Sequence, residues 1–145
     1  MAENNPVVSM TTSMVRGYQG EATIVKQWEA EFKTPIVTAA QTQVEALRAL
    51  GIRKFVGVTY FTGSINEMFT RYFQEAGFEV LAMEGMEVAF ADVGRLASTE
   101  IYAHTHRAFL KNTGADGIYM KLPAKPFLRC NRVERIEVFF SYGLR

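Results

Sequence analysis

One stretch of the chain, from Lys54 to Glu84, restricts the fold more than any other. It begins with a short apolar run that contains β-branched residues and ends in a Thr/Gly/Ser loop, as a buried strand does. Apolar residues at helical spacing follow, and Gly77 ends that helix before a second apolar run. A strand, a helix and a strand joined by short loops form a βαβ unit with parallel strands.

The helix of this unit is predicted to begin at Ser64, because Glu67 follows three residues later in a capping-box pattern. The carboxyl end of the first strand then lies beside a helix N-terminus, which favours anions. The loop between them has two interpretations: a binding site, or a capped turn without a ligand.

The rest of the chain repeats this alternation. We predict a strand from Val7 to Met10, a helix from about Gln19 to Phe32, and a helix that Thr38 caps. A further helix opens at Ser98, and a further strand runs from 116 to 120. The first of these helices is predicted to bury Ala22, Val25, Trp28 and Phe32. The fold class is therefore α/β, a mostly parallel sheet with helices on both faces in a Rossmann-like or flavodoxin-like arrangement.

Length and composition indicate one domain. The chain has 145 residues with 48% hydrophobic content, enough for a core without disulfides or metal. We expect a disordered tail at 1–6, a single α/β domain at 7–137 and an irregular C-terminal tail at 138–145. The residues that follow Arg132 are compatible with one or two turns of helix.

The charge balance bears on location and partners. A net charge of +1 gives no global field toward nucleic acid or membrane, and we expect neither as a partner. The basic run from Lys121 to Arg135 is interpreted as a solvated face. The N-terminus lacks a signal-peptide pattern, and Cys130 is the only cysteine, so we expect a cytoplasmic protein.

Three loops that follow apolar strands are predicted to meet at one sheet edge. They are Thr11-Thr12-Ser13, Thr59 to Ser64, and Lys121-Leu122-Pro123. Hydroxyls, backbone amides and Tyr60 converging there would suit a carboxylate or phosphate.

Metal binding is not indicated. His104 and His106 are two residues apart on a predicted helix, so they point away from each other and cannot chelate one ion. Cys130, the only thiol, is either an inert side chain or a catalytic one.

Several segments together resemble the aspartate/glutamate racemase superfamily, and most closely its arylmalonate decarboxylase and maleate cis-trans isomerase branch. The resemblance spans roughly Val7 to Glu137. It is carried by Val7-Val-Ser-Met-Thr-Thr-Ser-Met, Ala46-Leu-Arg-Ala-Leu-Gly-Ile-Arg-Lys-Phe, Thr59-Tyr-Phe with Ile65-Asn66-Glu67, Phe73-Gln-Glu-Ala-Gly-Phe-Glu-Val and Ala115-Asp-Gly-Ile.

The resemblance implies a two-lobed α/β fold that holds a small carboxylate or dicarboxylate between its lobes without a cofactor. Family enzymes use cysteines as acid and base, or as a nucleophile toward maleate. In these enzymes, backbone amides and hydroxyls stabilise the enediolate that forms when the substrate loses a proton or CO2.

Carried onto this sequence, the resemblance gives carboxylate binding to Thr12 and Ser13. The loop tyrosine of the family aligns with Phe61, next to Tyr60, and Asn66 matches a recurrent asparagine at a helix start. These residues, with Thr11, are the predicted binding residues, and Cys130 and Tyr60 are the predicted catalytic ones.

The sequence departs from the family pattern at the cysteines. Thr11 and Leu122 occupy the two cysteine positions, and Cys130 lies eight residues after the second. The chain also corresponds to part of a family member, lacking the first strands and the last ones. Two readings stay open: a decarboxylase or isomerase, and a non-catalytic module that binds carboxylates or forms homo-oligomers through open sheet edges.

Overall fold

The computed structural model describes residues 7–8, 14–121 and 138–140. Its elements are β1 (Val7–Val8), α1 (Gly17–Phe32), β2 (Val37–Thr38), α2 (Ala39–Ala49), β3 (Lys54–Thr59), α3 (Ser64–Glu75), β4 (Glu79–Gly85), a 3-10 helix (Phe90–Arg95), α4 (Ser98–Lys111), β5 (Gly117–Lys121) and β6 (Val138–Phe140). The predicted alternation of strands and helices is confirmed.

The strands form two parallel sheets. β1 pairs with β2, and a four-stranded sheet has the order β4-β3-β5-β6. β3 and β5 end side by side, with Thr59 opposite Lys121. β1 belongs to the smaller sheet, and the loop Thr11-Thr12-Ser13 that follows it lies outside the described residues, so the meeting of the three predicted loops at one sheet edge stays a prediction. Local sequence shows that a strand exists but not which strand it pairs with.

The larger sheet is covered on both faces, as predicted. Alternate residues of β3 and β5 point to opposite sides, because successive side chains along a strand do so. Phe55 and Tyr119 face the helices α2 and α3, in a cluster we call the α3-side cluster. Val56 and Ile118 face α4, in the α4-side cluster.

The two clusters consist of the following buried hydrophobic side chains. The α3-side cluster contains Met14, Ala40, Val44, Leu47, Ile52, Phe55, Phe69, Tyr72, Phe73, Ala76, Phe78 and Tyr119. The α4-side cluster contains Val56, Val58, Met86, Leu96, Ile101, Ala108, Ile118 and Met120.

The pairing of β5 with β3 starts at a carboxylate. Asp116 Oδ2 accepts hydrogen bonds from the backbone N–H of Arg53 (3.1 Å) and of Lys54 (3.0 Å). The Asp116 N–H in turn donates to the Lys54 carbonyl at 2.8 Å. These bonds set the register of β3 and β5 at the end of the strands opposite to Thr59 and Lys121.

Some predicted helix ends are confirmed and others are wrong. The Thr38 hydroxyl accepts the Gln41 N–H at 3.1 Å, as the predicted cap requires. Gly77 has a φ of 94°, as expected after a helix end. Ser64 is not the cap of α3: Gly63 occupies that position, and no side chain caps the helix. Gly63 has a φ of 57°, which glycine adopts readily.

The predicted buried face of α1 is only partly right. Val25 is buried, but Phe32 is 60% exposed at the helix end, beyond the part of α1 that the core covers. A charged residue, Glu21, is buried instead at 2% exposure. Apolar periodicity gives no sign of a buried carboxylate.

The predicted irregular tail at 138–145 is wrong for its first residues. Val138–Phe140 form β6, which lies parallel to β5 with Ile118 opposite Val138. The alternation of residues in a three-residue strand is too short to be recognised in sequence, without the pairing to β5. Residues 1–6 and 141–145 lie outside the described residues.

The helices α1 and α3 are joined by a buried polar contact. The Tyr72 hydroxyl donates a hydrogen bond to Glu21 Oε2, while Glu21 Oε1 has no partner within the described part of the chain. Burial, reinforced by the Glu21 carboxylate, raises the pKa of Tyr72 far above its ordinary value. The tyrosine therefore stays a neutral donor to this carboxylate.

Replacing Tyr72 by Phe removes the described donor to Glu21. We expect Tyr72→Phe to lower the free energy of unfolding by about 2 kcal/mol, measured by urea denaturation, because a buried carboxylate is left unpaired. Tyr102→Phe, at a tyrosine that is 43% exposed, is the control and leaves stability nearly unchanged. Equal stability of the two variants would contradict this account.

Alkaline pH is also expected to destabilise the fold. Burial raises the pKa of Tyr119 well above 10.0. The unfolded chain releases this proton above about pH 10 while the folded chain keeps it, so the free energy of unfolding falls as pH rises beyond that point. Tyr119→Phe is expected to reduce that fall, measured by urea denaturation at pH 8 and pH 10.5. A fall of undiminished size would argue against Tyr119 as its source.

Candidate functional site

The loop that leaves β3, residues 60–63, is held by a buried hydroxyl and a buried amide. Thr59 Oγ1 donates to Asn66 Oδ1 (2.7 Å) and accepts the Phe61 N–H (3.0 Å). Asn66 Nδ2 donates to the Phe61 carbonyl at 2.8 Å. Thr59 is 0% exposed and Asn66 is 8% exposed, so both groups are shielded from water. The β3–α3 loop is thus fixed by the last residue of the strand and the first turn of the helix.

The end of β4 presses against the same loop. A Cβ at Gly85 would lie 2.0 Å from the Phe61 carbonyl oxygen and 2.9 Å from Asn66 Nδ2. The Met86 N–H donates to the Thr59 carbonyl at 2.9 Å. Only glycine allows this close approach, and it leaves the loop little room to move.

The two aromatic residues of the loop lie side by side. The rings of Tyr60 and Phe61 have centroids 4.2 Å apart, and Phe61 stacks on Phe69 at 5.7 Å. Tyr60 packs against the α4-side cluster and Phe61 against the α3-side cluster. The phenol of a tyrosine is protonated at neutral pH, and burial raises the pKa of Tyr60 further, so this phenol is suited to donate a hydrogen bond.

A basic group and a helix N-terminus lie at the same edge. Lys121 ends β5 directly opposite Thr59, and burial lowers the pKa of its ammonium group. The N-terminus of α3 carries no side-chain cap. A phenol donor, an amine and uncapped backbone N–H groups together favour an anionic ligand.

A groove of about 540 Å³ lies between α3 and β4, and it includes Thr62 and Gly63 of the loop. Its charged lining residues are Glu67, Arg71 and Glu87. Two carboxylates beside one guanidinium disfavour a dianion. The groove is therefore a poor fit for a dicarboxylate.

The structure brings three predicted site residues together: Tyr60, Phe61 and Asn66. The Asn66 amide is engaged by the loop, so holding the loop is its evident role, and contact with substrate stays a prediction. The remaining predicted site residues lie outside the described residues. They are Thr11, Thr12, Ser13 and Cys130.

Two residues of this site were given no role of their own by sequence reasoning, although Thr59 was named as the start of the predicted loop. Thr59 supplies the hydroxyl that orders the loop, and Gly85 supplies the space. A glycine at the end of a strand is a signal of close backbone approach, which was available in the sequence. Nothing local marked the role of the Thr59 hydroxyl, because its partner Asn66 is seven residues away on another element.

Two further findings bear on the kind of site. In the ranges that the structure describes, no group of three or more His, Cys, Asp or Glu residues is placed to hold a metal ion. None of the described helices has both the length and the apolar character to cross a membrane.

Comparison with known proteins gives one family and one fold. The family model of arylmalonate decarboxylase matches residues 3–128. No curated protein sequence matches the chain. Solved structures do match, and the chain spans about half the length of each of the three described next.

Unliganded arylmalonate decarboxylase is 22% identical with a TM-score of 0.72, over 79% of this chain and 51% of that one. A maleate cis-trans isomerase of Nocardia farcinica bound to TRIS is 23% identical with a TM-score of 0.69, over 83% and 53%. A maleate isomerase of Pseudomonas putida is 18% identical with a TM-score of 0.66, over 81% and 52%. At these identities the likeness shows a shared fold.

Filling the space at Gly85 is expected to loosen the loop. Gly85→Ala places a methyl group against the Phe61 carbonyl, so we expect about 1–3 kcal/mol of destabilisation. Amide exchange at Phe61 should become about tenfold faster or more. Thermal melts and hydrogen exchange measure the two effects.

Gly94→Ala is the matched control, because no atom of the described residues lies within 4 Å of the position of its added Cβ. If Gly85→Ala and Gly94→Ala gave the same Phe61 exchange rate, the contact between β4 and the loop would not hold the loop.

Proposed function

The chain belongs to the arylmalonate decarboxylase family, and we propose that it acts, without a cofactor, on a small carboxylate or dicarboxylate. The reaction is decarboxylation of an arylmalonate-type substrate or isomerisation of maleate to fumarate. The observation that carries this proposal is the family match over residues 3–128. The expectation that the chain is related to the decarboxylases and maleate isomerases is confirmed by the same match and by the structures of shared fold. Action in the cytoplasm stays a prediction.

The described edge of the sheet supports an anionic substrate. The neutral Tyr60 phenol, the Lys121 amine and the uncapped N-terminus of α3 all favour negative charge. We assign carboxylate binding to Thr11, Thr12 and Ser13, with Phe61 and Asn66 lining the loop. Hydroxyls and backbone amides suit a carboxylate because each donates to one oxygen.

In the decarboxylation, the bond between the α-carbon and one carboxylate breaks and CO2 leaves. The electron pair stays on the remaining carboxylate as an enediolate, and the Tyr60 phenol stabilises it by a hydrogen bond. The Cys130 thiol then transfers its proton to the α-carbon.

In the isomerisation, the Cys130 thiolate adds to one carbon of the maleate double bond. The former double bond rotates as a single bond, and the thiolate leaves to give fumarate. Both reactions use the same bound carboxylate and the same thiol.

A second candidate function is a catalytically inactive module that binds a carboxylate. It is favoured by Thr11 and Leu122, which occupy the positions where the family pattern has its cysteines. In that case the β3–α3 loop binds the anion, and Cys130 takes no part.

Turnover separates the two functions. Phenylmalonate and maleate are incubated with the protein, and product is followed by proton NMR. We expect turnover to fall about 10²–10⁴-fold in Cys130→Ala, because that substitution removes the proton donor. Tyr60→Phe is expected to lower the rate while leaving binding of malonate, measured by calorimetry, nearly unchanged.

The control is Tyr102→Phe, which removes an exposed hydroxyl on α4. Binding of malonate without turnover of either substrate supports the inactive module. Turnover that Cys130→Ala leaves intact removes Cys130 from the mechanism, and neither binding nor turnover overturns the proposed function.

A further inference from the structure

The hydroxyl of Thr59 links the last residue of β3 to both the loop and the helix that follow it. It accepts the Phe61 N–H at 3.0 Å and donates to Asn66 Oδ1 at 2.7 Å. Thr59 is 0% exposed, so neither water nor a substrate reaches this hydroxyl. Any effect of Thr59 on a bound molecule therefore passes through the residues that it holds.

The side-chain amide of Asn66 is engaged by the protein in the same way. Its Oδ1 accepts the Thr59 hydroxyl, and its Nδ2 donates to the carbonyl oxygens of Phe61 at 2.8 Å and of Met83 at 3.5 Å. An amide side chain offers one acceptor oxygen and two N–H donors, and each of them is used here. Because Asn66 is also only 8% exposed, its amide is poorly placed to bind a ligand directly.

Thr59 and Asn66 bury polar groups at one particular end of β3. The other buried side chains of this strand are apolar, namely Phe55, Val56 and Val58. A buried hydroxyl and a buried amide are unfavourable unless they are hydrogen-bonded, whereas two apolar groups of the same shape can be nearly neutral for stability or can raise it. The polar pair stands at the end that carries the candidate site, which favours a role in that site.

The pair holds the backbone on both sides of the Tyr60 side chain. Thr59 itself is fixed in the sheet, and the next residue after Tyr60 is bonded at its N–H by Thr59 and at its carbonyl by Asn66. These bonds exist before any substrate arrives. The direction of the phenol is therefore set in advance, as electrostatic stabilisation of a transition state requires.

We propose that Thr59 and Asn66 are a positioning pair for the Tyr60 phenol, and that they act on the reaction through this phenol without touching the substrate. The inference rests on the proposed function, in which the phenol stabilises the enediolate. It gives Asn66 a different role from the substrate binding that the sequence predicted. A displacement of about 1 Å in a reacting group can cost about a hundredfold in rate, so holding the loop matters for turnover.

Thr59→Val removes the hydroxyl and keeps the shape of the side chain. We expect kcat for phenylmalonate or maleate to fall about 10–100-fold while KM stays within about threefold, because the lost interaction matters in the transition state. Thr59→Ser keeps the hydroxyl and should retain kcat to within about threefold. Thr70→Val is the matched control, because the Thr70 hydroxyl donates to the Asn66 carbonyl inside α3, at 2.9 Å, and is expected to leave kcat unchanged.

A double-mutant cycle with Tyr60→Phe separates positioning from a general weakening of the fold. If Thr59 acts through the phenol, adding Thr59→Val to Tyr60→Phe lowers kcat by less than about threefold, because the group that it positions is already absent. A further fall of about 10–100-fold in the double variant means that Thr59 acts by another route, and it overturns the proposal. An unchanged kcat in Thr59→Val alone also overturns it.

The ionisation of Tyr60 gives a second reading that needs no turnover. Burial raises the pKa of Tyr60, and we expect Thr59→Val to bring this pKa back toward 10.0, because a loosened loop exposes the phenol to water. Tyrosines labelled with carbon-13 at the ring Cζ are titrated by NMR, and Tyr60→Phe assigns the signal. Thr70→Val should leave the value unchanged, and a Tyr60 pKa that Thr59→Val does not lower overturns the proposal.

The two readings separate this proposal from the proposed function. Absence of turnover in the unmodified protein bears on the proposed function, and the Tyr60 titration then decides whether the pair holds the phenol. Turnover that Thr59→Val leaves intact overturns the positioning pair alone. If Thr59→Val does not fold, Asn66→Asp takes its place with the same expected results, because it keeps the acceptor for Thr59 and removes the donor to the Phe61 carbonyl.

Discussion

The burial of β3 on every side is the constraint on which the rest of the structure depends. The strand is paired on both edges and is exposed only at its first residue. Its Phe55 ring contacts the rings of Phe73, Phe78 and Tyr119, with centroids 5.2 to 5.9 Å apart. A Cβ at Gly57 would collide with the Met83 side chain, which fills that gap. Because β3 cannot shift without breaking these contacts, everything attached to its end has a fixed origin.

The candidate site takes its geometry from that fixed end. Thr59 is the last residue of β3, and its buried hydroxyl holds Phe61 directly and Asn66 through a second bond. Gly85 closes the loop from the neighbouring strand. The loop therefore presents the Tyr60 phenol from a rigid base, which suits the proposed role of that phenol in stabilising a developing charge. Burial also raises the pKa of that phenol, because it disfavours the ionised form.

The parts of the fold that local sequence encodes were predictable. Thr38 and Gly77 were assigned correctly, because both signals are local. A capping hydroxyl bonds a backbone N–H three residues away, and a glycine with positive φ ends the helix directly before it. The assignment of Ser64 as a cap failed because Gly63 took the position with a backbone that other residues avoid. Within the site, Tyr60, Phe61 and Asn66 were predicted from the loop and the family pattern. The roles of Thr59 and Gly85 were not predicted, because they come from contacts with other elements of the fold.

The sequence by itself determined most of the order of strands and helices, part of the apolar faces and the family of this protein, because periodicity and short motifs are local properties. The tertiary structure alone decided that β1 lies in a separate sheet and that β6 completes the larger one. It also decided that Glu21 is buried against Tyr72, across 51 residues of chain. Such contacts depend on which surfaces meet after folding. The spacing of residues within one segment does not show which residue of a distant segment will contact it.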